Sequence, residues 1–184
     1  MPNQACGILS PWLRKQRINA VLPYLKGKIL DYGCGTGTLA GLCQRDLYMG
    51  IDIDEESLRT ARLQHPGFRF EDRIPGNEEF DTAIILAVIE HMYNPKTFLA
   101  EIKCAIKSEG LIISTTPQPA YKQLFWVGSR LRIFSAEAEA EHKVLINYRH
   151  MKDLASACGL SILCYRHFLF GANQLFILKK NNSA

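Results

Sequence analysis

The sequence predicts an α/β fold in which a doubly wound, mostly parallel sheet of seven strands ends in an antiparallel strand. Three observations lead to this prediction. Short apolar runs that suit buried strands alternate with segments of helical periodicity. A glycine-rich loop follows the first of these strands. The last two strands are separated by a turn too short for a crossover helix, so we expect them to pair antiparallel.

Length and composition favour one globular domain, here predicted to span residues 1–184. The chain is 47% hydrophobic and 22% charged, and its net charge of +4 is too small to indicate a nucleic-acid partner. Its six cysteines include no Cys-x-x-Cys pair, so no metal site is expected and a reducing compartment is favoured. No apolar run is long enough to span a membrane, and the first ten residues do not resemble a signal peptide. We therefore expect a cytoplasmic protein.

A first helix is predicted over residues 11–25, with Pro11 in its first turn and Gly27 ending the segment before the first strand. Its cations Arg14, Lys15 and Arg17 form a cluster. A solvated helix face is the simpler interpretation of this cluster. The alternative is a lid helix whose positive charge attracts an acidic substrate.

The segment Ile-Leu-Asp-Tyr-Gly-Cys-Gly-Thr-Gly-Thr-Leu, residues 29–39, predicts a strand, a tight loop and the start of a helix. Glycine lets a ligand lie directly on the backbone, and a helix start offers free N–H groups. This order is typical of a nucleotide-type site on a Rossmann-like sheet. The third glycine of the dinucleotide fingerprint is replaced by Thr38, which argues against NAD.

Residues 31–37 resemble motif I of the class I methyltransferases that use S-adenosylmethionine. The resemblance implies S-adenosylmethionine as the cofactor and S-adenosylhomocysteine (SAH) as the product. It also implies that Gly33, Gly35 and Gly37 form the donor loop. Asp31 would receive the methionine amino group, directly or through water.

A second strand over residues 48–53 contains an acid, Asp52, that lies 19 residues beyond Gly33. At this distance a βαβ unit returns a carboxylate to the ribose hydroxyls of a nucleotide. The spacing fits NAD and S-adenosylmethionine equally. The neighbouring Ile53 is a candidate for packing on the adenine ring.

A helix capped by Asp54 is followed by a third strand over residues 68–71 and by another acid, Asp72. In the resembling family an acid at this place often meets the adenine amino group. Arg73 offers Asp72 an ion pair as the alternative. The segment of residues 73–79 is short and polar, which leaves little room for a helix before the next strand.

The continuous apolar run over residues 80–88 predicts a central fourth strand, buried on both faces. Leu86, near its end, is a further candidate for cofactor binding. The pair Glu90-His91 follows, and it resembles the Glu-His element of small-molecule methyltransferases, including ubiquinone-pathway O-methyltransferases. His91 is the main catalytic candidate, as a general base or by orienting the acceptor. The alternative is that His91 shapes the loop through hydrogen bonds.

The rest of the chain completes the same order of elements. A helix starting at Asn94-Pro95 and a fifth strand over residues 111–117 complete a core of residues 28–117. Residues 118–148 are predicted to be an insertion that covers the substrate, with His142 and Tyr148 as weaker catalytic candidates. Residues 149–180 are predicted to form the C-terminal helix and the antiparallel hairpin.

The resemblance implies methyl transfer to a small-molecule acceptor by in-line displacement. Three alternatives stay open: a non-catalytic protein that binds S-adenosylmethionine, an NAD-type oxidoreductase and a nucleic-acid methyltransferase. The Glu-His element argues against the second. The third lacks the Asp/Asn-Pro-Pro-aromatic tetrapeptide after the fourth strand.

Overall fold

The computed structural model describes residues 10–76, 79–119 and 146–181. It contains one sheet of seven strands in the order β3-β2-β1-β4-β5-β7-β6. Strands β1 to β5 pair in parallel, and β7 runs antiparallel to both of its neighbours, β5 and β6. The predicted fold class is therefore confirmed. The strands are β1 (Ile29–Tyr32), β2 (Tyr48–Ile51), β3 (Arg69–Glu71), β4 (Phe80–Leu86), β5 (Ile106–Pro117), β6 (Leu160–Phe168) and β7 (Asn173–Lys180).

Four α-helices of the described residues cover the two faces of the sheet. They are α1 (Ser10–Val21), α2 (Glu55–Gln64), α3 (Pro95–Ala105) and α4 (Tyr148–Ala157). Helices α1 and α2 contribute to one buried apolar cluster, and α3 and α4 contribute to the other. Neighbouring residues of one strand belong to opposite clusters, as Ile84 and Ile85 of β4 do. This alternation explains why the central strands are apolar on both faces.

Side-chain caps set the starts of three helices. Asp54 accepts hydrogen bonds from the backbone N–H groups of Glu56 and Ser57 at the start of α2. Asn94 caps α3, which has proline at its first position, and Asn147 caps α4 in the same way. These caps satisfy N–H groups that have no partner inside the helix.

The structure corrects two predicted helices. The first one ends at Val21 and continues as a single 3-10 turn (Leu22–Tyr24), because Pro23 has no N–H to donate to a helix. The helix predicted after the glycine loop is absent. Two single 3-10 turns, Ala40–Leu42 and Arg45–Leu47, replace it. Each turn ends in an extended residue, so the chain does not sustain helical geometry before β2.

Strand bounds also differ from prediction. Strand β4 stops at Leu86 because Ala87 takes a positive φ of 56°. Strand β5 begins at Ile106, which pairs with Phe80 ahead of a register shift. Strands β6 and β7 form the predicted antiparallel hairpin.

Two connections between strands were predicted from the sequence, one before β4 and one after β5. No helix occurs among residues 72–76, as predicted for the connection between β3 and β4. Most of the predicted substrate-side insertion, including His142, lies outside the described residues. The assignment of the whole chain to one domain stays a prediction. Within the described ranges, no helix has the length and apolar character needed to cross a membrane.

Gly50 of β2 provides a test of the packing under the loop. An added Cβ would lie 2.7 Å from Phe70 Cδ1 and 2.8 Å from Cys34 Sγ. Since overpacking forces neighbours out of their rotamers, Gly50→Ala should lower the free energy of unfolding by about 1–3 kcal/mol in urea denaturation. Gly41→Ala is the control, because its nearest neighbour would be His65 at 3.5 Å. Equal losses in the two variants would contradict the prediction.

Candidate functional site

The glycine loop lies at the carboxyl edge of the sheet, directly after β1. Gly33, Gly35 and Gly37 all have positive φ values, of 79°, 53° and 77°. An added Cβ would lie 2.4 Å from Val88 Cγ2 at Gly33 and 2.9 Å from Phe70 Cζ at Gly37. At Gly35 it would meet no atom within 4 Å. The loop is therefore packed tightly at both ends and open at its middle glycine.

Asp52 follows β2 directly and holds this loop. Its Oδ2 accepts a hydrogen bond of 2.8 Å from the backbone N–H of Gly35, and its Oδ1 accepts one of 3.0 Å from Asp54. A carboxylate oxygen has two acceptor positions, so each oxygen can accept one more hydrogen bond. The half-buried carboxylate thus lies beside the open face of Gly35, and its contact with a ribose stays a prediction.

Asp31 lies beneath the loop rather than on its open face. Its side chain is 3% exposed, and the Tyr48 hydroxyl donates a hydrogen bond of 2.7 Å to its Oδ2. Burial raises the pKa of Asp31 to about 7; the Tyr48 hydrogen bond opposes this rise, and the negative charge of Asp52 adds to it. This burial favours contact through water, or support of the loop, over direct contact with a ligand.

The other predicted donor-site residues lie in different environments. Ile53 is 86% exposed, and Leu86 is half-buried at the end of β4. Asp72 is exposed and forms an ion pair of 3.2 Å with Arg73. The ion-pair alternative is therefore present in the structure, although an exposed pair of this kind contributes little stability.

The Glu-His element forms a single 3-10 turn, Ile89–His91, at the same edge of the sheet. His91 is half-buried, and its backbone N–H donates to Val88 O at 2.9 Å. Glu90 is 2% exposed, and burial raises the pKa of its carboxyl to about 7. Tyr148 begins α4, and its ring centroid lies 4.9 Å from that of Tyr165.

Arg17 was not among the predicted site residues, but its side chain lies at the same edge of the sheet. Arg17 Nε donates a hydrogen bond of 3.1 Å to Asn173 Oδ1, at the edge where β7 begins. Burial lowers the pKa of Arg17, and the negative charge of Glu90 opposes this. Helical spacing gave a usable indication, because Arg17 lies four residues before the buried Val21 and hence on the same helix face.

Polar side chains near the end of β5 and at the start of β7 were not predicted. A run of three hydroxyl residues in a strand otherwise made of apolar residues was the available indication. Natural interiors leave few such atoms unsatisfied, so a group of them at one edge indicates a place where ligand or water binds. Within the described residues, the buried side-chain atoms without a hydrogen-bond partner are Glu90 Oε1 and Oε2, Ser114 Oγ, Thr115 Oγ1, Thr116 Oγ1, Gln118 Oε1 and Asn173 Nδ2.

The described residues bring no three His, Cys, Asp or Glu side chains together in a way that could hold a metal ion. The candidate site is built from glycine backbone and from carboxylate, hydroxyl and guanidinium side chains.

Comparison with known proteins identifies the family. The model of a methyltransferase domain matches residues 10–165, which is most of the chain. The sheet order and the glycine loop agree with this match. The chain belongs to this methyltransferase family, within the class I enzymes that depend on S-adenosylmethionine.

Curated relatives are similar over part of their length. The ubiquinone biosynthesis O-methyltransferase of Dinoroseobacter shibae is 30% identical over 105 residues, which are 51% of this chain and 42% of that protein. The protein of the same name from Neisseria meningitidis serogroup C is 26% identical over 75% of this chain and 66% of its own length. The chain therefore spans about two-fifths to two-thirds of the length of these two relatives.

A solved structure shows the same fold. Magnesium protoporphyrin IX methyltransferase from Synechocystis PCC 6803, determined with bound SAH, has a TM-score of 0.68 and 15% identity. The match covers 91% of this chain and 84% of that one. At this identity the likeness concerns the fold alone.

The buried Asp31 predicts a pH dependence of stability. Its pKa of about 7 lies above the value of 3.8 for a free carboxyl, so between these values the folded state binds more protons than the unfolded state. The stability contributed by Asp31 is therefore fully present below about pH 4 and is lost as pH rises to about 7. Asp31→Asn should remove this loss, which is at most on the order of 4 kcal/mol.

The measurement is urea unfolding of both proteins from about pH 5 to about pH 8. The stability of Asp31→Asn relative to the wild type should increase across this range. Glu101→Gln, which changes an exposed carboxylate of α3, is the control and should leave the difference constant. A constant difference for Asp31→Asn as well would refute the prediction.

Proposed function

We propose that this chain transfers a methyl group from S-adenosylmethionine to a small-molecule acceptor. The observation that supports this most directly is the open face of Gly35 beside the Asp52 carboxylate. A Cβ at Gly35 would meet no protein atom within 4 Å, and the backbone N–H of Gly35 is already bonded to Asp52 at 2.8 Å. Family membership and the named relatives point to the same activity.

The residues present fit the donor. Asp52 has acceptor positions left for ribose hydroxyls, and the three glycines leave room for a ligand against the backbone. Ile53, largely exposed beside Asp52, offers an apolar surface for the adenine ring. Leu86 and Asp72 remain candidates for the same site. Asp31 would act on the methionine amino group through water or by supporting the loop.

The donor, when bound, supplies a methyl group already activated by its sulfonium charge. The protein must then hold the acceptor atom in line with that methyl group and keep competing water away. We place the acceptor at the carboxyl edge of the parallel strands, near the turn after β4, the end of β5 and the start of β7. His91 remains the predicted group that orients or deprotonates it.

A small-molecule acceptor is favoured because the similar curated proteins are named for ubiquinone biosynthesis. Residues 118–148 are proposed to cover this acceptor, since they follow β5 at the same edge, and His142 is a weaker catalytic candidate within them. A cytoplasmic location and a single domain stay predictions from the sequence.

The first test is calorimetric binding of SAH and of NAD to the wild type and to Asp52→Ala. SAH should bind the wild type, and the substitution should weaken binding about 10–100-fold, as expected for loss of hydrogen bonds to a charged group. NAD binding without SAH binding would identify a dinucleotide site instead. Binding of neither would leave the fold without the proposed cofactor.

Gly35→Ala tests whether the open face holds the donor. The new methyl group clashes with no protein atom, so the cost to folding should be about 1–2 kcal/mol, from the positive φ alone. SAH affinity should nevertheless fall at least about tenfold, because the methyl group takes up the space of the ligand. Gly76→Ala, also with nothing within 4 Å, is the control and should bind SAH like the wild type. Unchanged affinity in Gly35→Ala would place the donor elsewhere.

A further inference from the structure

A cavity of about 180 Å³ lies at the amino end of β1. Its walls come from two stretches of chain, within residues 25–29 at the start of this strand and within residues 42–47 ahead of β2. The glycine loop instead follows the last residue of β1, and a strand of four residues separates its two ends by about 10 Å. None of the described residues assigned to the donor or the acceptor lines this cavity.

Four aliphatic side chains line the cavity. Leu42 and Leu47 end the two 3-10 turns that stand between the glycine loop and β2, and they are 57% and 38% exposed. Leu25 and Ile29 line the cavity from the side of β1. Water forms few hydrogen bonds against such a surface, so an apolar group that displaces this water gains free energy.

Among the described residues of the lining, Lys26 alone carries a charge. Its side chain is exposed, and no ion pair joins it to another residue that the structure describes. The carboxylates that adjoin the lining already have cationic partners. Asp46 pairs with Arg45 at 3.3 Å, and Asp81 pairs with Lys107 at 2.8 Å. The charge of Lys26 is therefore available to an anionic ligand.

The other polar groups of the lining also suit an anion. Burial raises the pKa of the Cys43 thiol to about 11, and the negative charge of Asp31 adds to this rise. The thiol therefore stays neutral near pH 7 and does not repel a carboxylate. The exposed amide of Gln44 offers two N–H donors, which a carboxylate can accept.

We propose that this cavity is a binding site separate from that of the donor, and that it takes a short aliphatic carboxylate. The hydrocarbon chain packs against the leucines, and Lys26 and Gln44 hold the carboxylate. The charge of Lys26 would repel an amine. A drug-sized molecule exceeds the cavity, since such ligands occupy pockets of about 300–1,000 Å³. This inference does not depend on the proposed methyl transfer.

The first experiment measures calorimetric binding of butanoate, hexanoate and octanoate to the wild type. Each methylene group added inside the cavity should tighten binding by up to about fourfold, and the gain should end once the chain reaches solvent. Hexanoate should bind equally well with and without SAH, because the cavity lies about 10 Å from the glycine loop. No binding of any of the three, an affinity that does not increase with chain length, or competition with SAH overturns the proposal.

The second experiment compares hexanoate with 1-hexanol in variants of the lining. Lys26→Gln should weaken hexanoate binding about fivefold, the upper end expected for an exposed ion pair, and leave 1-hexanol binding unchanged. Leu42→Ser combined with Leu47→Ser should weaken both ligands at least about tenfold, because the wall loses apolar surface. Lys15→Gln and Leu63→Ser, at exposed positions of α1 and α2, are matched controls and should bind both ligands like the wild type.

A selective loss of hexanoate binding in Lys26→Gln, with loss of both ligands in the double leucine variant, supports the proposal. Equal losses of the two ligands in Lys26→Gln, or the same losses in the controls, overturn it. Sedimentation velocity tests a second copy of the chain as the occupant. A wild type that self-associates and a double variant that does not would make the cavity an interface between copies, and the proposal would be wrong.

Discussion

Three hydrogen bonds tie the glycine loop to the end of β2, and the candidate site depends on them. The backbone N–H groups of Gly33 and Cys34 both donate to Ile51 O, and that of Gly35 donates to Asp52. Two 3-10 turns rather than an α-helix follow the loop. These three hydrogen bonds therefore hold the loop without the support of a helix start. They also bring the Asp52 carboxylate to the one part of the loop that is open. Binding and loop geometry are therefore two consequences of the same contacts.

The site contains two buried acids with different surroundings. Asp31 accepts a hydrogen bond from the Tyr48 hydroxyl and lies beneath the donor loop, whereas Glu90 lies in the turn after β4, where the charge of Arg17 favours its ionised form. A buried carboxyl whose hydrogen bonds are satisfied can have a purely structural role. We therefore assign Asp31 to the support of the loop.

Local patterns predicted much of the fold, because strands, caps and the hairpin depend on neighbouring residues. Asp54 and Asn94 cap the helices expected from their positions, and the apolar run of β4 forms a central strand. The helix expected after Gly37 does not form. Two 3-10 turns stand there instead, because a few apolar residues at helical spacing are not enough to sustain a helix. The role of Arg17 could not be derived, since it depends on where α1 packs against β7. Sequence spacing gave the position of Asp52 but not the burial of Asp31.

Helix α1 contacts both the glycine loop and the start of β7. Arg14 donates to Thr38 just after the donor loop, while Arg17 reaches Asn173 at the start of β7. Arg166 of β6 donates to Ala20 O, which fixes the other end of the helix. One helix thus contacts both the donor loop and the edge that carries Glu90. Arg14 and Lys15 are exposed and Arg17 is half-buried, so the solvated-face interpretation holds for two of the three cations of the cluster.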